Sequence, residues 1–266
     1  MKYTFNGSMI SLFLCLILVN GICQDAEKVE VVEIDGMTHY YEIYGSGEPL
    51  LLLHGWCQSS KYWRSFVDDY KDEFTVYLID LQGFGMSDAF QPDWSIESVT
   101  IDLNALLGYL ELSRVKGIGL SFGGDILLQL SVLQPDLIES MVIIGSGLGN
   151  WNAKEYPDYM EYFSVQNADN MPELESYQSS KQQFHAALKY FGNYNTQISD
   201  DELNEIKSRV MIVYGDDDGY DMDEIMRVRS DLANSDLWMI PDAGHVANGG
   251  KNKKQFVEVS KRFLKE

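Results

Sequence analysis

Positive charge is scarce in this sequence: 20 Lys and Arg stand against 41 Asp and Glu, a formal net charge of −21. Nucleic acid and anionic membrane surfaces carry the same sign and would repel such a chain, so neither is expected as a partner. Cysteine is scarcer still, with three residues, of which Cys15 and Cys23 fall in the first 23 positions. Long apolar runs are limited to residues 10–19, too short for a comfortable membrane span. No internal repeat and no low-complexity tract is present. The 266 residues therefore read as one α/β domain, or one domain carrying an insertion.

The apolar run has a distinctive setting. Lys2 precedes it, Gly21-Ile22-Cys23 follows it, and Gln24 opens a polar stretch. That is the layout of a secretory signal peptide, expected over residues 1–23 with cleavage after Cys23. The mature chain is then secreted or periplasmic, with no stable membrane insertion. A lipid anchor on Cys23 is the alternative, although the bulky Ile22 suits it badly, and an uncleaved amphipathic anchor is a third. Cleavage leaves Cys57 alone and excludes an intrachain disulfide.

What is present begins with a hairpin pattern. Residues 29–34 and 37–44 flank Asp35-Gly36, a two-residue turn signal. Leu50 to Leu53 follow without alternation, as a strand covered on both faces requires. Further apolar strands are expected at 74–79, 115–120, 141–144, 210–214 and 237–240. Helical patterns lie between them at about 61–70, 95–110, 125–133 and 223–233, and a last one at 253–264. The alternation fails over residues 148–207, where aromatic residues recur at helical spacing, and three or so amphipathic helices without a strand are expected there. These spans predict a mostly parallel eight-stranded sheet with an antiparallel N-terminal hairpin and helices on both faces. Residues 24–147 and 208–266 form the core, and 148–207 a helical lid inserted after the sixth strand, over the sheet edge where ligands bind.

The rest is organised around Gly119-Leu120-Ser121-Phe122-Gly123, set between an apolar strand and an apolar helix. A turn this tight needs small flanking residues and pushes the serine oxygen into the open. The amides at the start of the helix favour negative charge beside it. Ser121 is thus the candidate nucleophile. Its hydroxyl is barely ionised at neutral pH, so it needs a base. His245, in Pro241-Asp242-Ala243-Gly244-His245 after the last strand, would face the serine in a parallel sheet. His39 sits in the hairpin and His185 in the lid; His54 ends a strand before Gly55 and suits fixing a loop. The carboxylate that would hold the base is sought in Asp216-Asp217-Asp218, after the seventh strand, where Asp218 can turn back and Asp216 is the alternative. Backbone amides of Trp56 and Phe122 are the candidate oxyanion donors. Gly55 and His54 shape the adjoining loop, and Trp151, Tyr159 and Phe163 of the lid are the expected pocket walls. Cys57 is either a buried bystander or an oxidation-sensitive thiol.

The segments Leu50-Leu51-Leu52-Leu53-His54-Gly55-Trp56, Asp80-x-x-Gly83-x-Gly85-x-Ser87, Gly119-Leu120-Ser121-Phe122-Gly123-Gly124, Val213-Tyr214-Gly215-x-x-Asp218 and Pro241-Asp242-Ala243-Gly244-His245 resemble, in order, the motif set of the α/β-hydrolase fold. Within it, His54-Gly55-Trp56 is similar to small carboxylesterases and to the cofactor-free haloperoxidase group. The resemblance implies Ser121, Asp218 and His245 as a triad, Trp56 and Phe122 as the oxyanion hole, and a loop at Asp80 to Ser87 without chemistry of its own. No cofactor and no metal is implied. Serine in the elbow, where haloalkane dehalogenases and epoxide hydrolases carry aspartate, disfavours those reactions. Trp56-Cys57-Gln58 disfavours a proline iminopeptidase. The expected activity is cleavage of carboxylic esters of small or medium apolar acids or alcohols through an acyl-enzyme. C–C bond, lactone or thioester hydrolysis on the same triad, and a non-turnover ligand-binding protein, are the alternatives. Nothing in the sequence bears on oligomeric state.

Overall fold

The computed structural model describes residues 26–146 and 149–266. The expected signal segment, with Cys23, lies outside the described residues. The chain enters as β1 (Lys28–Ile34) and β2 (Met37–Tyr44), joined at Asp35 and Gly36 with φ of 52° and 81°. Two consecutive left-handed residues make the turn whose twist matches the strands it joins. β3 (Glu48–Leu53), β4 (Phe74–Asp80), β5 (Val115–Leu120), β6 (Ile138–Ile144), β7 (Arg209–Gly215) and β8 (Ser235–Ile240) complete the sheet. Its order is β1-β2-β4-β3-β5-β6-β7-β8. β2 pairs antiparallel with both β1 and β4, and every other pairing is parallel.

The four leucines of β3 show why the sheet needs cover on both sides. Leu51 and Leu53 pack into one core with Ile79, Phe122 and Leu127, while Leu50 and Leu52 pack into the other with Trp63, Leu78 and Phe256. All four are fully buried, each worth about 2 kcal/mol of apolar transfer. The helices divide accordingly. α1 (Ser60–Trp63), α2 (Val67–Tyr70) and the C-terminal helix cover the second face; α3 (Ile96–Tyr109) and α4 (Phe122–Leu133) cover the first. The helix expected at 61–70 is broken by a 3₁₀ turn at Arg64–Phe66 into two short pieces. α3 starts where Ser95 accepts from the Ser98 amide and Ser98 returns the bond to the Ser95 amide, a reciprocal cap.

Between β6 and β7 the chain makes α5 (Pro157–Tyr162), α6 (Pro172–Ser176), α7 (Lys181–Tyr190) and α8 (Asp200–Glu205), with 3₁₀ turns between them. These pieces are shorter and more numerous than three amphipathic helices. Pro157 and Pro172 each restart the chain at a first helical position, where a missing N–H costs nothing. An isolated antiparallel bridge, Asn152 to Asn195, closes the lid at its base. α9 (Met222–Asp231) and α10 (Lys253–Lys265) end the fold.

Candidate active site

Ser121 stands at the turn from β5 to α4 with φ 50° and ψ −115°. Such a conformation costs a non-glycine residue about 1–3 kcal/mol and persists only where the surroundings impose it. Here the Ser121 amide donates to the Ile144 carbonyl at 2.7 Å, and its carbonyl accepts from the Gly124 and Asp125 amides. The glycine at 123 is demanded by close approach: a Cβ there would lie 2.5 Å from the Leu53 carbonyl oxygen and 2.8 Å from that of His54. The elbow is thereby pressed against the loop that follows β3.

That loop folds on itself. The Gly55 amide donates to Gln58 Oε1 at 2.9 Å, and the Gln58 amide donates back to the Gly55 carbonyl. His54 is wholly buried beneath it. Nε2 accepts from the Leu81 amide at 3.1 Å, so the ring proton lies on Nδ1, which donates to the Gly55 carbonyl at 2.8 Å. Burial pulls the His54 pKa down to about 4, against a small opposing effect of that carbonyl. The ring is neutral at ordinary pH, and it holds the loop without lining the cavity. Cys57 is buried too, and burial pushes its thiol far up, which removes the thiolate an oxidant would need.

Asp218 and His245 meet across the ends of β7 and β8, with Oδ1 to Nδ1 at 2.8 Å. An ionised carboxylate can only accept, so the pairing puts the imidazole proton on Nδ1 and leaves Nε2 its lone pair. The Asp218 side chain is almost inaccessible, while the ring is 35% exposed. The loops are laced together beneath the pair. The Asp216 amide donates to the Ile240 carbonyl, the Asp217 amide to the Ala243 carbonyl, and the Ala243 amide to Asp216 Oδ1. Asp216, the alternative acid, is thus occupied by a backbone amide, and Asp217 is exposed. Gly145 (φ 60°) backs the pair so closely that a Cβ would stand 2.9 Å from the imidazole Nδ1 and 3.1 Å from Asp218 Oδ2.

Ser121 and His245 line one cavity of about 450 Å³, roofed by the lid. Gly55, Trp56, Trp151, Tyr159 and Phe163 line it as well. The Phe122 amide, first in α4, lacks a partner within the helix by position, and the Trp56 amide follows the self-closed Gly55. His39 lies on β2 and His185 on α7, and neither borders the cavity.

Two contributors, Asp125 and Gln178, escaped sequence reasoning. Asp125, one turn beyond Ser121, lines the cavity although only 7% exposed, and Oδ2 accepts from the Tyr194 hydroxyl at 2.5 Å. Burial first, then the Asp125 charge, push the Tyr194 phenol far up, so it stays a donor. The single charged residue of α4 was the available signal. Gln178 joins the lid to both loops, donating to the Cys57 carbonyl at 2.7 Å and accepting from the Gly85 amide at 3.0 Å. The Asp80 carboxylate accepts from the Ser60 and Met86 amides, and burial raises its pKa to about 6. It serves as an anchor for the loop through Ser87.

A family model described as the α/β hydrolase fold matches residues 48–167. The chain has the α/β-hydrolase fold. A soluble epoxide hydrolase of a Corynebacterium is 33% identical over 111 residues, 42% of this chain and 39% of that protein. The matched stretch thus spans well under half that relative's length. The 2-hydroxy-6-oxo-2,4-heptadienoate hydrolase of Pseudomonas putida is 24% identical over 275 residues, 90% of this chain and 97% of that protein. Among solved structures, the enol-lactonase from Burkholderia xenovorans superimposes with a TM-score of 0.75 at 18% identity, covering 89% of this chain and 100% of the lactonase. At that identity the likeness is one of fold.

Proposed function

We propose that this α/β hydrolase cleaves carboxylic esters of small or medium acids or alcohols through an acyl-enzyme on Ser121. The observation that carries the reading is the hydrogen bond from His245 Nδ1 to Asp218, which leaves Nε2 basic in the cavity wall it shares with Ser121. Ser121 Oγ attacks the ester carbonyl while His245 takes its proton. The Trp56 and Phe122 amides receive the developing oxyanion, each such donor being worth about 10²–10³ in rate. The tetrahedral intermediate collapses, the C–O bond breaks, and His245 returns the proton to the leaving alcohol. Water, deprotonated by the same imidazole, then releases the acid.

The lid's aromatic lining supports an apolar acyl or alcohol group. Hydrolysis of a C–C bond needs the same nucleophile and base and is the second reading; the Pseudomonas relative is named a 2-hydroxy-6-oxo-2,4-heptadienoate hydrolase. Epoxide opening, named for the Corynebacterium relative, is the weaker reading, because a serine occupies the elbow.

A fluorophosphonate should label the protein once, on Ser121, and Ser121→Ala should abolish labelling and lower turnover of p-nitrophenyl butyrate by about 10³-fold or more. Full turnover by Ser121→Ala would overturn the nucleophile assignment.

A further inference from the structure

The loop that carries the Trp56 amide sits under strain. The bonds between Gly55 and Gln58 close a turn with Trp56 and Cys57 at its centre. Cys57, third in that turn, has a φ of 57°, a left-handed conformation that glycine or asparagine takes far more readily. A cysteine there persists only where the surroundings fix the peptides on either side of it. Relaxation towards negative φ would rotate the turn and swing the Trp56 N–H away from the point where the oxyanion forms.

The restraint comes from the lid. Gln178 is buried, and its Nε2 donates to the Cys57 carbonyl at 2.7 Å, with the Gln58 carbonyl beyond it at 3.4 Å. Its Oε1 accepts from the Gly85 amide at 3.0 Å. Turning the side-chain amide over would set an acceptor against two carbonyls and a donor against an N–H, so its orientation is fixed. The Trp56 ring is held from the same side, with Tyr194 stacked on it and Phe191 at its edge, each centroid 5.4 Å away. Neighbouring lid residues dock on the loop at Gly85 to Ser87. The Ser179 amide donates to the Gly85 carbonyl, and Gln183 Nε2 to the Ser87 carbonyl at 2.9 Å. Those bonds hold the lid down; Gln178 reaches past them to the oxyanion loop.

We propose that Gln178 is a positioning residue for the oxyanion hole. It clamps the Cys57 carbonyl so that the Trp56 amide faces the reacting carbonyl, and seating the lid thereby completes the site. The inference rests on the ester-hydrolase reading and adds what sets its oxyanion geometry. A catalytic group misplaced by about 1 Å can forfeit about 10²-fold, so one side-chain amide in the lid can govern the rate.

The test compares 1,1,1-trifluoroheptan-2-one with heptan-2-one. Ser121 Oγ adds to the trifluoro ketone's carbonyl carbon, the π pair moves to oxygen, and His245 takes the hydroxyl proton. The plain ketone resists that addition. Affinities are read as protection of Ser121 from a fluorophosphonate, on reactive protein alone, so a smaller folded fraction does not move their ratio. The wild type should bind the trifluoro ketone at least about 10²-fold more tightly. That advantage should shrink about tenfold or more in Gln178→Met and stay within about threefold of wild type in Gln183→Met. An unchanged advantage in Gln178→Met, or an equal loss in both variants, overturns the proposal. If Gln178→Met fails to fold, Gln178→Glu at about pH 8 decides on the same outcomes, since its carboxylate keeps an acceptor for the Gly85 amide and has no donor for Cys57. A wild type that is not labelled, or shows no advantage, defeats the ester-hydrolase reading, and the clamp is then judged by hydrogen exchange. Exchange of the Gly55 and Gln58 amides should rise about tenfold in Gln178→Met and not in Gln183→Met, and unchanged exchange overturns it.

Discussion

Asp216 and Asp218 lie two positions apart, yet one is exposed with an oxygen on the Ala243 amide and the other is buried against His245. Replacing either by asparagine keeps one acceptor oxygen but removes the charge. For Asp218→Asn the amide no longer enforces the Nδ1–H tautomer or stabilises an imidazolium, and ester turnover should fall by about 10³–10⁴. For Asp216→Asn the remaining oxygen still meets the Ala243 amide, and the rate should stay within about threefold. Equal losses in the two variants, read from kcat/KM, would contradict the assignment. The sequence narrowed the acid to this run because all three aspartates follow a strand end. It could not separate them fully, since the separation depends on which amide of the neighbouring loop claims each oxygen. Asp125 was harder still to read. Its meaning comes from Tyr194, 69 residues away, and no local pattern announces that contact.

At the scale of elements, the loop after β3 depends on the protonation of His54. Its pKa drops from 6.5 in a solvated chain to about 4 in the fold. Between those values the unfolded chain binds the extra proton, so the His54 contribution is fully present above 6.5 and lost as pH falls through 4. The whole effect is about 3 kcal/mol. Asp80, raised from 3.8 to about 6, runs the other way: its contribution is full below 3.8 and lost as pH rises through 6. The two oppose each other over the same range, so the variant rather than the wild type exposes either one. The stability lost by His54→Gln at about pH 7 should shrink by about 3 kcal/mol at pH 4, measured by urea unfolding. A loss independent of pH would show that the ring is not kept neutral by burial. Elements with a local cause were legible: the hairpin through Asp35-Gly36 and the elbow at Ser121. Lid helices were legible in number only roughly, because their ends are set by Pro157 and Pro172 and by packing on the core.

For the molecule as a whole, the charge of −21 acts at a distance. A surface so negative raises the local concentration of cations, and salt screens the effect beyond about 8 Å at 0.15 M. Turnover of a cationic ester should therefore decline between low and high salt more than that of a neutral ester of the same size, through KM more than kcat. Equal salt responses of the two esters would contradict it. The parallel order of the sheet, visible in the alternation of strands and helices, is what collects β3, β5, β7 and β8 ends at one edge. Which side chains from those ends touch could come only from the folded chain.

Four consecutive leucines in β3 make a strand that cannot tell its own place. Slide it by one residue and each side chain changes face, yet every one still meets hydrocarbon, so oiliness alone leaves the alignment degenerate. What breaks the tie is the next residue. Shifted by one, His54 would enter the ladder where Leu53 now pairs with Ile79 and Gly119, forfeiting the Leu81 amide and the Gly55 carbonyl. A single imidazole thus indexes the middle of the sheet, and with it the spot where the chain turns towards the nucleophile.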